Sequence, residues 1–210
     1  MIKGATAGLL AAPQLSARAG TLAAPDMRRI AIEEAFVTQA IADEWQKFIA
    51  AGSPGEPGFQ KMGESILADS PGTRAIHERL INLGADRIQY MDDCGIDKQV
   101  ISLTSPGVQV FEDRLATELA ADANDQLAAA VKKYPSRFAG LAAVAPQEPG
   151  EAAKELHRAN SSLGLKGVII NSHTGGRYLD DRKYWPILEA AASLNMPIYL
   201  HPRAPGQGMV

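Results

Sequence analysis

From residue 29 to residue 202 short apolar runs alternate with longer stretches in which apolar residues return at helical spacing. The runs predict strands at Arg29-Ile30-Ala31-Ile32-Glu33-Glu34, Lys98-Gln99-Val100-Ile101-Ser102-Leu103, Phe138 to Val144, and Gly167-Val168-Ile169-Ile170-Asn171. A last run, Pro197-Ile198-Tyr199-Leu200-His201-Pro202, predicts a fully buried strand bounded by proline on both sides. Between them, helices are predicted over 37–51, 73–91, 115–133, 149–163 and 181–194. In the first, Ile41, Trp45, Phe48 and Ile49 share one side; in the second, Ile76, Leu80, Leu83 and Ile88 do. The stretch 52–63 is rich in Gly and Pro and reads as a mobile loop. By plain alternation, Ala31 and Glu33 share one face of the first strand, and Ile30, Ile32 and Glu34 the other.

The resulting order is βαβαβαβαβ, with the later units recurring about every thirty residues, the length of one strand–helix unit. Strands alternating with helices argue for an α/β fold with a parallel sheet, and continuous apolar strands for cover on both faces. An open doubly wound sheet and a (β/α)₈ barrel both satisfy that order. No Gly-x-Gly-x-x-Gly opens a helix after the first strand and no Walker-type loop is present, so nucleotide binding has no support. Polar residues gather instead at several strand ends: Glu33 and Glu34, Thr104 and Ser105, His173, and His201. Spreading site residues over separate strand ends is the habit of barrel enzymes.

Composition changes this picture little. The chain has 210 residues, 46% hydrophobic and 21% charged, enough for one large domain over 26–210. A net charge of −3 gives no reason to expect nucleic acid or an anionic membrane as a partner. The single cysteine, Cys94, excludes an internal disulfide and a cysteine zinc cluster, and reads as a small buried hydrophobe. Residues 1–25 differ from the rest. Their weakly apolar start and Ala17-Arg18-Ala19 resemble the end of an export signal without its paired arginines. They are read as a disordered leader or a signal remnant, leaving cytoplasm or periplasm as locations.

Candidate chemistry centres on Glu33 and His201. A carboxylate and an imidazole on opposite walls of a barrel mouth can ligate a divalent metal such as Zn²⁺ or Mn²⁺. Taken singly, Glu33 is also an ordinary solvated carboxylate and His201 an ordinary hydrogen-bonded histidine. Ligands from different strands have no fixed sequence separation, so spacing does not decide between these readings.

Five segments in order sharpen the choice. These are Arg29 to Phe36, Leu103-Thr104-Ser105-Pro106-Gly107-Val108-Gln109, Ala145-Pro146-Gln147, Asn171-Ser172-His173-Thr174 and Tyr199-Leu200-His201-Pro202. Together they resemble the amidohydrolase-related metal-dependent decarboxylases, nearest to the carboxyvanillate and dihydroxybenzoate (γ-resorcylate) branches. The resemblance implies a distorted (β/α)₈ TIM barrel, of which this chain holds the first five βα units. It implies Glu33 and His201 as ligands of a Zn²⁺ or Mn²⁺ ion. It further implies Arg74 as the group that binds the substrate carboxylate, an apt role for a guanidinium fork. His173 is placed near the site, in a catalytic or ligand-supporting role.

The implied reaction is non-oxidative decarboxylation of a hydroxylated aromatic acid. The implied partners are a small aromatic acid and other copies of the chain, as a homo-oligomer. The family's third protein ligand, an aspartate on the eighth strand, has no match in this chain, nor has a histidine on the sixth. Two further readings stand beside this one: hydrolysis of a lactone or amide on the same barrel, and a partial barrel without catalysis whose raw strand edges invite pairing.

Overall fold

The computed structural model describes residues 27–209. The reading of residues 1–25 as a leader lies outside the described residues. Five parallel strands form one curled sheet, a half-barrel, in the order β1 (Ile30–Phe36), β2 (Lys98–Leu103), β3 (Phe138–Ala143), β4 (Gly167–Asn171) and β5 (Ile198–His201). Four helices lie between β1 and β2: α1 (Gln39–Ala50), α2 (Pro57–Ile66), α3 (Pro71–Ile81) and α4 (Ala85–Cys94). One helix fills each later crossover: α5 (Asp113–Lys133), α6 (Pro149–Ser161) and α7 (Trp185–Ser193). No described helix is long and apolar enough to cross a membrane.

The core lies between the sheet and these helices. The alanine-rich face of α5 presents Ala116, Ala120, Ala123 and Leu127, all buried, to the sheet. Small side chains let the helix sit close. At Gly140 of β3 an added Cβ would press on Leu127 and Leu165. Asn124, 1% exposed, is the polar exception in this face. Its amide donates to the Ala143 carbonyl (2.8 Å) and its oxygen accepts from the Ala143 N–H (2.7 Å). The side chain thereby completes the hydrogen bonding of the residue that ends β3.

The expected elements recur, with five physical departures. First, the 52–63 stretch is not simply a loop, because α2 starts at Pro57. Proline suits a first helical turn, and the glycines serve close packing. A Cβ at Gly58 would collide with Ala204, and one at Gly63 with Ile49. Second, the long helix over 73–91 is two helices. Asn82 leaves helical geometry and its side chain accepts from the Gly84 N–H (2.7 Å), a local bond that competes with helix continuation. The last predicted helix likewise begins as a 3₁₀ turn over Arg182–Tyr184.

Third, β1 does not alternate regularly. Ala31 pairs with Gln99 and Glu34 with Ile101, so three steps on β1 match two on β2. This bulge puts Ala31, Glu34 and Phe36 on one face and overturns the simple assignment of Ala31 with Glu33. Fourth, β5 is not fully buried. It is the last strand of the sheet, and Leu200 is 57% exposed because no described helix covers it. Fifth, Cys94 is exposed, not buried. It is the last residue of α4 and lines an open groove of about 520 Å³ with Tyr90 and Ile96.

Two predictions follow from packing. Asn124→Ala strands two buried backbone groups of Ala143. It should lower stability by about 1–3 kcal/mol per orphaned group, read by urea denaturation. The outer strands carry Ile30 and Ile32 on β1 and Leu200 on β5, each more than half exposed. Uncovered strand edges pair with other chains. The 210-residue chain should therefore run larger than a monomer in sedimentation, and a monomer with a sharp melt would refute this.

Candidate functional site

The curl of the sheet brings its two outermost strands together on the inner face. Tyr199 and His201 project from β5 in register with Ile169 and Asn171 of β4. The His201 imidazole Nε2 lies 3.1 Å from Glu33 Oε1. The Tyr199 hydroxyl donates to the other carboxylate oxygen, Glu33 Oε2, at 2.8 Å. That acceptor holds the Tyr199 phenol above its ordinary pKa. Alternation sends the two adjacent carboxylates to opposite faces, and the bulge in β1 decides which of them meets β5. Glu33 meets β5, while Glu34 accepts from Gln99 Nε2 at 2.9 Å on the far face. Gln99 in turn accepts from Arg87, whose pKa burial lowers.

The chemistry of this pair suits a divalent cation. Ligands lying ~2.0–2.2 Å from one metal at angles between square and tetrahedral are roughly 2.8–3.6 Å apart. The 3.1 Å between Glu33 Oε1 and His201 Nε2 falls in that range. The side chain of Glu33 is 56% exposed and that of His201 23%, so the pair opens to solvent. Among the described residues no group of three or more His, Cys, Asp or Glu gathers at metal-binding distance. Glu33 and His201 thus supply two donors.

The other two candidate residues stand apart from this pair. Arg74, in the first turn of α3, forms an ion pair with Asp69 and faces a cavity lined by Gln46 and His77. His173 follows β4 and is 2% exposed. Its Nε2 lies 2.9 Å from the Ala204 carbonyl, which can only accept, so Nε2 carries the proton. His173 Nδ1 is buried without a hydrogen-bond partner among the described residues. The imidazole thus touches the segment after β5 rather than Glu33 or His201.

That segment is tied down on two sides. The Arg203 guanidinium pairs with Glu56 in the turn before α2 and donates to the His173 carbonyl at 3.2 Å. The Gln207 N–H donates to Gly55 O at 3.0 Å. Burial lowers the Arg203 pKa while Glu56 opposes the shift. Both partners are nearly buried, 2% and 11% exposed.

A further set of hydrogen bonds shapes the strand ends. Gln109, after β2, donates from Nε2 to the carbonyls of Asn171 and His173, both at 3.0 Å. Its oxygen accepts from the Asn171 N–H at 2.7 Å. Gln147 reaches back to the carbonyls of Val108 and Phe111, and Trp45 Nε1 donates to Gly107 O. Gln109, Gln147 and Asn171 lay in the segments that carried the family resemblance, but as members of a motif, without this role. Tyr199 lay in the last of those segments, and period-two alternation already puts it on the face of His201. Glu56 and Arg203 lay outside them.

Comparison with known proteins bears on this site. The sequence profile of the amidohydrolase family matches residues 42–209. A γ-resorcylate decarboxylase of Polaromonas sp. is 39% identical over 155 residues, covering 68% of this chain and 48% of its own length. A crystal structure of 5-carboxyvanillate decarboxylase from Novosphingobium aromaticivorans superposes with a TM-score of 0.84 at 44% identity. It holds manganese and 3-methoxy-4-hydroxy-5-nitrobenzoic acid, and the match covers 88% of this chain and 53% of that one. A dihydroxybenzoic acid decarboxylase of Polaromonas sp., with manganese and 2-nitroresorcinol, gives 0.69 at 32% identity, over 85% and 50%. The chain spans about half the length of the relatives it matches.

The buried ion pair predicts the behaviour of the mouth. Arg203→Met leaves Glu56 charged and unpaired, which typically costs about 3–5 kcal/mol. Amide exchange at Gln207 should rise with it, as the bond to Gly55 loosens. Unchanged exchange would mean that the ion pair does not hold the segment.

Proposed function

The chain belongs to the amidohydrolase family, and we propose that the barrel to which it contributes five strands is a metal-dependent decarboxylase of hydroxylated aromatic acids. One observation carries the reading: a carboxylate at the bulge within β1 and the imidazole that ends β5 meet at 3.1 Å on the open inner face of a half-barrel. Relatives named as decarboxylases of such acids support it, two of them holding manganese.

In this proposal Glu33 Oε1 and His201 Nε2 hold a divalent ion, Mn²⁺ or Zn²⁺. When bound, the metal supplies Lewis acidity and a template for the substrate's carboxylate and neighbouring oxygen. Arg74 turns from Asp69 to take the substrate carboxylate through its fork. His173 acts at one remove. By holding the Ala204 carbonyl it fixes the segment that follows His201, and so the direction of the ligand itself. A protein acid gives its proton to the ring carbon that bears the carboxylate. The bond to the carboxylate then breaks, and CO₂ leaves as aromaticity returns.

The test is CO₂ release from 5-carboxyvanillate and 2,6-dihydroxybenzoate by the purified, manganese-loaded protein, with lactones assayed beside them. Decarboxylation is expected on an aromatic acid, with Glu33→Gln and His201→Ala losing bound metal and activity together. Arg74→Met should raise KM at least tenfold with metal content unchanged, since losing one charged contact costs about 1.5–3 kcal/mol. A metal-loaded protein that hydrolyses lactones and releases no CO₂ would overturn the proposal.

A further inference from the structure

Glu33 is engaged at both of its oxygens by one strand. His201 approaches Oε1 at 3.1 Å, and two residues earlier on β5 the Tyr199 hydroxyl donates to Oε2 at 2.8 Å. A glutamate that is 56% exposed on an edge strand would otherwise rotate among several conformers. We propose that Tyr199 is a positioning residue of the metal site: its hydroxyl occupies Oε2 and leaves Oε1 as the single oxygen offered beside the His201 imidazole. This rests on the reading of Glu33 and His201 as metal ligands.

Two features support this role. The tyrosine and the histidine stand two apart on one strand, so the pleat fixes their relative placement with no loop involved. Their ring centroids lie 6.4 Å apart, on one face of the sheet. Partners that orient metal-bound carboxylates typically change affinity by about 10–100-fold when removed.

Mn²⁺ affinity is measured on the 210-residue chain by the loss of the free-ion electron paramagnetic resonance signal, for the unaltered protein, Tyr199→Phe and Glu33→Gln. The expected result is one weak site, abolished in Glu33→Gln and weakened at least tenfold in Tyr199→Phe. The metal-free melting temperature should not change in Tyr199→Phe. Equal affinity in Tyr199→Phe and the unaltered protein overturns the positioning role and leaves the metal reading standing. Absence of Mn²⁺ binding in the unaltered protein, or equal binding in Glu33→Gln, overturns the metal reading and this role with it.

Discussion

Strand ends are where a parallel sheet runs out of its own hydrogen bonds, and this fold depends on how that shortage is met. At the exits of β2 and β4 the backbone is buried, and side chains complete its hydrogen bonding. Gln147 and Trp45 serve the loop after β2, and Gln109 serves the end of β4. One amide donates to two carbonyls and its oxygen accepts one N–H, all at the end of β4. A buried backbone group left without a partner costs about 1–3 kcal/mol, so these bonds hold the mouth's geometry as firmly as its core does. Because β5 takes its register from β4, with Asn171 opposite His201, the position of the histidine descends from a glutamine on a different loop.

A second chain of dependence runs from the exit of β5. Arg203 is buried against Glu56, and His173 holds the next residue along. The turn before α2, the end of β4 and the segment after β5 are therefore one unit, although they are far apart in sequence. The inner face can be open to solvent at Glu33 while the loops around it are fixed.

Much of the fold was legible in the sequence. Apolar runs marked all five strands within a residue or two, since a strand buried between two layers must be apolar nearly throughout. The illegible parts share a cause. Glycines at 58 and 63 signal looseness by composition, but here they admit Ala204 and Ile49 to close contact. Asn82 interrupts a smooth apolar period through a bond of its own side chain. The exposed faces of β5 and Cys94 depend on what lies over them, which local sequence does not record. Within the site, Glu33 and His201 stood out as polar residues that close apolar runs, although β1 continues past Glu33 to Phe36. Tyr199 did not, since an aromatic residue within a strand is ordinary there.

The bulge in β1 divides that strand into two stretches of opposite parity. Upstream of Ile32 and Glu33 the odd-numbered residue faces the helices; downstream the even-numbered one does. A change in the first stretch therefore has no necessary effect on the second. The start of the strand is held by its own pairing, Ile30 with Lys98 and Ala31 with Gln99. The phase that sends Glu33 inward and Glu34 outward is set separately, by the pairing of Glu34 and Phe36 with β2. One surplus residue thus makes the carboxylate's orientation independent of the edge on which it sits.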